Sequence, residues 1–321
     1  MKRLAITIAT LLFGAATLSA QQVLPLYEGV APGSEDRTDT EQVTYNQTTG
    51  DIERISSTSS PSITVYLPSP DKATGKAVIL CSGGAMMFHS WGNDVVNMAR
   101  WLNERGVAAI GLKYRLKPMT PPQPRPQGGQ PRQQDGQPRQ QGGQMPPMML
   151  NLDITQFDQL VKSNADPAAN DAEGVRLNMQ AVDDARVAMR LVRSHADEWN
   201  IDPEKVGFLG FSAGGGVAIG ATVTATTPEE MPSFLATIYG PSLMEVEVPK
   251  SEVPLFIATR AEHRNVAAGV MSLFMDWKRA GQSAEMHIYA DPQGAFGPDD
   301  TGLPSGSWRE SFFRWLNYTI E

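Results

Sequence analysis

The five residues Gly210-Phe211-Ser212-Ala213-Gly214 constrain what this chain can fold into more than any others. The apolar run Val206 to Leu209 leads into them, and a helix-compatible run of small residues, Ala213 to Thr224, leads out. A G-x-S-x-G pentapeptide alone is a weak pattern. Between a buried strand and a helix it describes a sharp strand–turn–helix junction that holds a serine above a sheet. Gly210 and Gly214 remove side chains where such a turn brings backbone segments together. Ser212 then stands at a helix N-terminus, where unpaired N–H groups and aligned peptide dipoles favour developing negative charge. Ser212 is therefore the candidate nucleophile, and the Ala213 N–H a candidate oxyanion donor. A second donor is expected from a glycine-rich loop after an early strand, here Gly83-Gly84-Ala85, with Gly84 and Ala85 presented to substrate.

The rest of the chain supports that setting. Strands are expected at Ile63 to Leu67, Lys76 to Cys81, Val107 to Tyr114, Lys205 to Phe211, Phe234 to Tyr239, Leu255 to Thr259 and Ala284 to Ala290. Helices are expected at Asp94 to Glu104, Asn178 to Trp199, Ala213 to Thr224, Val266 to Ala280 and Ser307 to Tyr318. Val182, Ala185, Met189 and Val192 form one apolar helical face. Strands alternating with helices argue one α/β domain over 61–321, a mostly parallel sheet with helices on both faces. Residues 21–60 read as irregular, being rich in Thr, Ser, Asp and Gly.

Two segments lie apart from this pattern. Lys2 and Arg3, the mostly apolar run Leu4 to Leu18 and Ser19-Ala20 form a signal peptide over 1–20, so the mature chain is expected to be exported, periplasmic or extracellular. An uncleaved anchor is the competing reading. The run is short for a membrane span, and none is expected in the mature chain. Residues 118–148 form a Pro/Gln/Gly/Arg insert in which Gln-Pro-Arg recurs at 123, 130 and 137. It has no apolar residue from Pro121 to Gln144, so burial cannot offset the entropy of ordering it, and it reads as a disordered surface insert. The alternative is a tether for acidic glycans or a partner.

Composition excludes some functions. A formal charge of −8 argues against nucleic acid as a partner, since phosphate rewards a basic surface. No His/Cys/Asp cluster has metal-ligand spacing, and Gly214-Gly215-Gly216 lacks the lysine of a phosphate loop, so neither metal nor cofactor is expected. The single cysteine, Cys81, ends an apolar strand and forms no intrachain disulfide; it reads as a buried strand residue.

Several segments together resemble exported bacterial esterases of the α/β-hydrolase superfamily, in the esterase/lipase branch with acetylxylan-esterase-like proteins. They are Leu24 to Gly33, Lys76 to Trp91, Trp101 to Leu116, Asp184 to Gly216 and Pro254 to Tyr289. The resemblance covers most of the mature chain apart from the insert. It implies the α/β-hydrolase fold, a Ser–His–Asp triad and hydrolysis of a small-molecule or carbohydrate ester. Ser212 matches the nucleophile. Glu262 falls at the acid position. Gly294 falls where the family has its histidine, and no histidine follows Ile288.

A serine hydroxyl needs an adjacent base to be a good nucleophile. Four histidines could supply one. His195 reads as a helix-end charge and His287 as a strand residue. His89 follows the glycine loop and is a candidate substrate contact. His263, beside Glu262, is the candidate substitute base, with Asp291, Asp299 or Asp300 as groups that could orient it. Two functions stay open: a serine esterase with an atypical base, and a catalytically silent hydrolase-fold protein that binds a glycan or partner.

Overall fold

A computed structural model of the chain describes residues 22–118, 172–291 and 296–321. The signal segment, the insert from residue 119 onward and Gly294 lie outside the described residues. Eleven strands appear among them: β1 Gln22–Pro25, β2 Gln42–Tyr45, β3 Ile52–Ser56, β4 Ser62–Tyr66, β5 Ala77–Cys81, β6 Phe88–His89, β7 Ala108–Lys113, β8 Val206–Phe211, β9 Leu235–Ile238, β10 Leu255–Arg260 and β11 Ala284–Tyr289. The α-helices are α1 Met98–Glu104, α2 Ala172–Ser194, α3 Ala213–Val223, α4 Arg264–Arg279 and α5 Trp308–Thr319. A wider π-helical turn, Trp91–Asn97, runs directly into α1.

The main sheet has the order β1-β4-β7-β5-β8-β9-β10-β11. From β7 to β11 every pairing is parallel, while β4 and β1 add antiparallel strands at one edge. Central strands covered on both faces must be apolar throughout, and β5, β8, β9 and β10 are buried at every position. Helices α1 and α5 share one face, where Trp101 meets Phe313 and Phe312 and Trp315 pack on Phe256. On the other side, α2 packs against α3, and α3 against β5, β8 and β9. This is the expected α/β architecture.

Residues 21–60 depart from expectation, because they are not wholly irregular. β1 pairs antiparallel with β4 in the register Gln22↔Val65. β2 and β3 form a hairpin that β6 extends into a second, three-stranded sheet. The Asn46 side chain accepts the Thr48 and Thr49 N–H groups and so builds the hairpin turn. β1 takes its partner from β4 and β3 its second partner from β6, both outside this segment, and no local apolar alternation announces the three strands.

Candidate active site

The junction at Ser212 has the shape expected of it. Buried strand β8 ends at Phe211, α3 begins at Ala213, and Ser212 sits between them at φ 49°, ψ −123°. A non-glycine residue in that region is strained and persists only where its surroundings hold it. Here the Ser212 N–H donates to Ile238 O at 3.0 Å, and the Ser212 carbonyl accepts from Gly215 and Gly216 at 2.8 and 3.2 Å. The two glycines of the motif are required by close approach. A Cβ on Gly210 would lie 2.3 Å from Gly214 O, and one on Gly214 would lie 2.2 Å from Cys81 O. The Ser212 side chain is half-buried, and its hydroxyl makes no hydrogen bond to the described residues.

The loop after β5 turns tightly beside it. Gly84, Ala85 and Met86 have φ of 138°, 54° and 60°. Gly84 O accepts the Met87 and Phe88 N–H groups, and Gly83 O accepts that of Ser90. These bonds use the loop's carbonyls. The N–H groups of Gly84, Ala85 and Ala213 donate to no acceptor among the described residues.

His89 lies beneath this loop with no exposed surface. Its Nε2 is 2.9 Å from Tyr114 O, a pure acceptor, so Nε2 carries the proton and Nδ1 accepts from Ser82 Oγ at 2.9 Å. The Tyr114 hydroxyl returns a bond to Ser82 O at 2.7 Å. Burial pushes the imidazole pKa down to about 3, so the ring is neutral. Both nitrogens are occupied and the ring is sealed, which leaves it nothing to offer a ligand. Cys81 is fully buried in β5, and burial pushes its thiol pKa up.

Glu262 and His263 occupy the turn between β10 and α4. Glu262 is exposed and unpaired among the described residues. His263 caps α4 through its carbonyl, which accepts from Val266 and Ala267. Its ring lies 5.8 Å from that of Tyr239, and its Nδ1 is buried without a hydrogen-bond partner. Burial, then the charge of Arg260, lowers its pKa. No hydrogen bond joins His263 to Ser212 or to a carboxylate among the described residues. Of the three aspartates expected to orient it, Asp300 accepts from Gly302 N–H in its own turn and Asp299 is exposed. Asp291 is buried and bonded to Arg260 at 3.1 Å and to Ser305 N–H at 3.0 Å. His195 stacks on Trp199, and His287 pairs with Glu285.

Three residues at this end of the sheet were missed by sequence reasoning. Tyr239, at φ 42°, follows β9 directly and stands among Phe211, His263 and Phe296. Arg260 lies over the Phe296 ring while pairing with Asp291. Asp94 is buried against Gly83. Among the described residues no group of three or more His, Cys, Asp or Glu could hold a metal ion, and no helix is long and apolar enough to cross a membrane.

Residues 179–305 match a family model described as the alpha/beta hydrolase fold. No curated protein matches the chain. Among solved structures, an acetyl ester-xyloside bifunctional hydrolase from Caldicellulosiruptor lactoaceticus is similar, with a TM-score of 0.57 and 17% identity over 92% of this chain and 96% of that one. Esterase 2 of Thermogutta terrifontis has a TM-score of 0.54 and 15% identity over 89% and 94% of the two chains. A carboxylesterase from Lactobacillus plantarum has a TM-score of 0.54 and 14% identity over 87% and 97%. The chain has the α/β-hydrolase fold, with Ser212 at the strand–helix junction where that fold carries a nucleophile.

Proposed function

We propose that this chain is an exported serine ester hydrolase acting on acylated carbohydrate or small esters. The observation that carries the reading is the strained Ser212 beside three backbone N–H groups, those of Gly84, Ala85 and Ala213, left without acceptors. Donors held in place before the reaction stabilise charge as it develops, the largest single contribution in many acyl transfers. Ser212 Oγ attacks the ester carbonyl, the carbonyl oxygen takes up the negative charge, and those N–H groups receive it. The hydroxyl proton passes to a base and then to the departing alcohol. Water next cleaves the acyl-enzyme and restores the serine. The reading assigns His263 as base, because its Nδ1 has no partner and its lowered pKa leaves the ring unprotonated at neutral pH. Glu262 stays at the acid position of the resemblance, but exposed. The three similar structures, an acetyl ester-xyloside bifunctional hydrolase, an esterase and a carboxylesterase, support an ester as substrate.

A catalytically silent protein that binds a glycan or partner at the same place is the second reading. The Arg260–Asp291 ion pair favours it. It joins the end of β10 to the stretch after β11, the two places from which the resemblance draws its acid and base, and Gly294 replaces the histidine.

Turnover of p-nitrophenyl acetate and of acetylated xylo-oligosaccharides separates the two. Ser212→Ala is expected to lower turnover by at least about 10³-fold, and His263→Ala by a similar factor. Activity surviving Ser212→Ala would remove the junction from the mechanism. Absent wild-type turnover on both substrates would leave the binding reading.

A further inference from the structure

Asp94 is a buried carboxylate that the mechanism above does not use. It is 3% exposed. Gly83 N–H donates to its Oδ2 at 2.8 Å, and the Asn93 side-chain amide donates to its Oδ1 at 2.8 Å. No lysine, arginine or histidine pairs with it among the described residues. The titratable groups that sense its charge are Tyr114, just past β7, and Tyr239, just past β9; burial raises the pKa of both phenols and keeps them neutral. Gly83 also touches the nucleophile. A Cβ on Gly83 would lie 3.1 Å from Ser212 Cβ and 3.3 Å from Asp94 Oδ2. The carboxylate and the serine therefore both close on this one glycine.

We propose that Asp94 is a positioning residue for ester hydrolysis: its two oxygens, holding the Gly83 N–H and the Asn93 amide, fix the loop that presents the Gly84 and Ala85 N–H groups beside Ser212. The inference rests on the esterase reading of Ser212. It requires the charged form, because both oxygens must accept. Protonation, or an amide at position 94, turns one acceptor into a donor that opposes a donor already there. A buried charge without a cation opposes folding, so its place at the nucleophile calls for a functional reason. Burial pushes the Asp94 carboxyl up to about 6, against the hydrogen bonds from Gly83 and Asn93. The loop is thus held above that pH and loosened below it.

The test compares wild type, Ser212→Ala, Asp94→Asn and Asp94→Ala on p-nitrophenyl acetate from pH 5 to 9, with thermal melts at pH 5 and 8. Wild-type kcat should rise with pH through about 6 while KM stays level. Asp94→Asn should lower kcat at pH 8 by roughly 10- to 100-fold, keep only the part of that rise that His263 sets, and melt higher than wild type at pH 8. Asp94→Ala should lower kcat at least as much. An Asp94→Asn enzyme with wild-type kcat at pH 8, with an acid limb identical to that of wild type, or with a lower melting temperature at pH 8 overturns the proposal. So does a loss as complete as that of Ser212→Ala, because a positioning residue leaves the nucleophile in place. If wild type shows no turnover, the esterase reading fails, and with it the catalytic role of Asp94. The melts then still decide whether its buried charge opposes folding.

Discussion

His89 and Asp94 are both buried beside the Gly83–Ala85 loop, and they respond to pH in opposite directions. The folded chain holds the His89 pKa near 3, below its ordinary 6.5. As pH falls through 6.5 the unfolded chain takes up a proton that the folded chain refuses, so stability is lost by about 1.4 kcal/mol per pH unit down to about 3. Asp94 has its folded pKa raised to about 6 from 3.8. Its folded form binds the proton more tightly, so this group adds stability as pH falls from about 6 to 3.8, up to roughly 3 kcal/mol. Below pH 6 the two effects nearly cancel. Asp94→Asn should therefore be more stable than wild type by as much as about 3 kcal/mol at pH 8, with the gap closing by pH 4. Urea unfolding at pH 8, 6 and 4 measures it, and a pH-independent gap would contradict the assignment. Ser212 was legible because its motif is local. Asp94 was not, since an acidic residue in the opening turn of a helix looks the same whether solvent or Gly83 faces it.

At the scale of elements, the Arg260–Asp291 pair links β10 to the segment after β11, with Ser305 bonded to both partners. Both charged side chains are almost wholly buried. Arg260→Met leaves the Asp291 carboxylate buried with Ser305 as its one remaining partner among the described residues, and should destabilise the fold by about 3–5 kcal/mol. Arg260→Met with Asp291→Leu should recover most of that loss. Urea unfolding of the single and double variants checks this, and additive losses would mean that the two side chains do not act as a pair. The glycines of the junction obey a harder constraint. Gly214→Ala drives a methyl against Cys81 O, with backbone on both sides, and should abolish the folded state or lower the melting temperature sharply. The central strands were legible from their apolar runs, and the helices from their periodicity. β1, β2 and β3 were not: β1 pairs with β4 and β3 with β6, both outside the segment, and the β2–β3 hairpin carries no clean apolar alternation.

Across the whole molecule, Arg115 ties the N-terminal segment to the core. Its guanidinium meets the Asp184 carboxylate of α2 at 2.8 Å and donates to the carbonyls of Pro32 and Gln180, while the Tyr27 hydroxyl donates to Asp184 at 2.9 Å. Asp184→Ala strands a buried arginine and should cost about 3–5 kcal/mol. It should also expose residues 22–37 to protease before the rest of the domain, which limited proteolysis followed by mass spectrometry would show. Cleavage elsewhere first would count against this clamp. The amino-acid sequence by itself determined the α/β alternation and the strand–turn–helix junction at Ser212, because each is written in the spacing of neighbouring residues. Only the tertiary structure decided that His89 is sealed by Ser82 and Tyr114, that His263 keeps a buried nitrogen without a partner, and that Asp94 accepts the Gly83 N–H next to Ser212. Burial and hydrogen-bond partners come from strand order, which sets side by side residues as far apart in the chain as Tyr27 and Asp184.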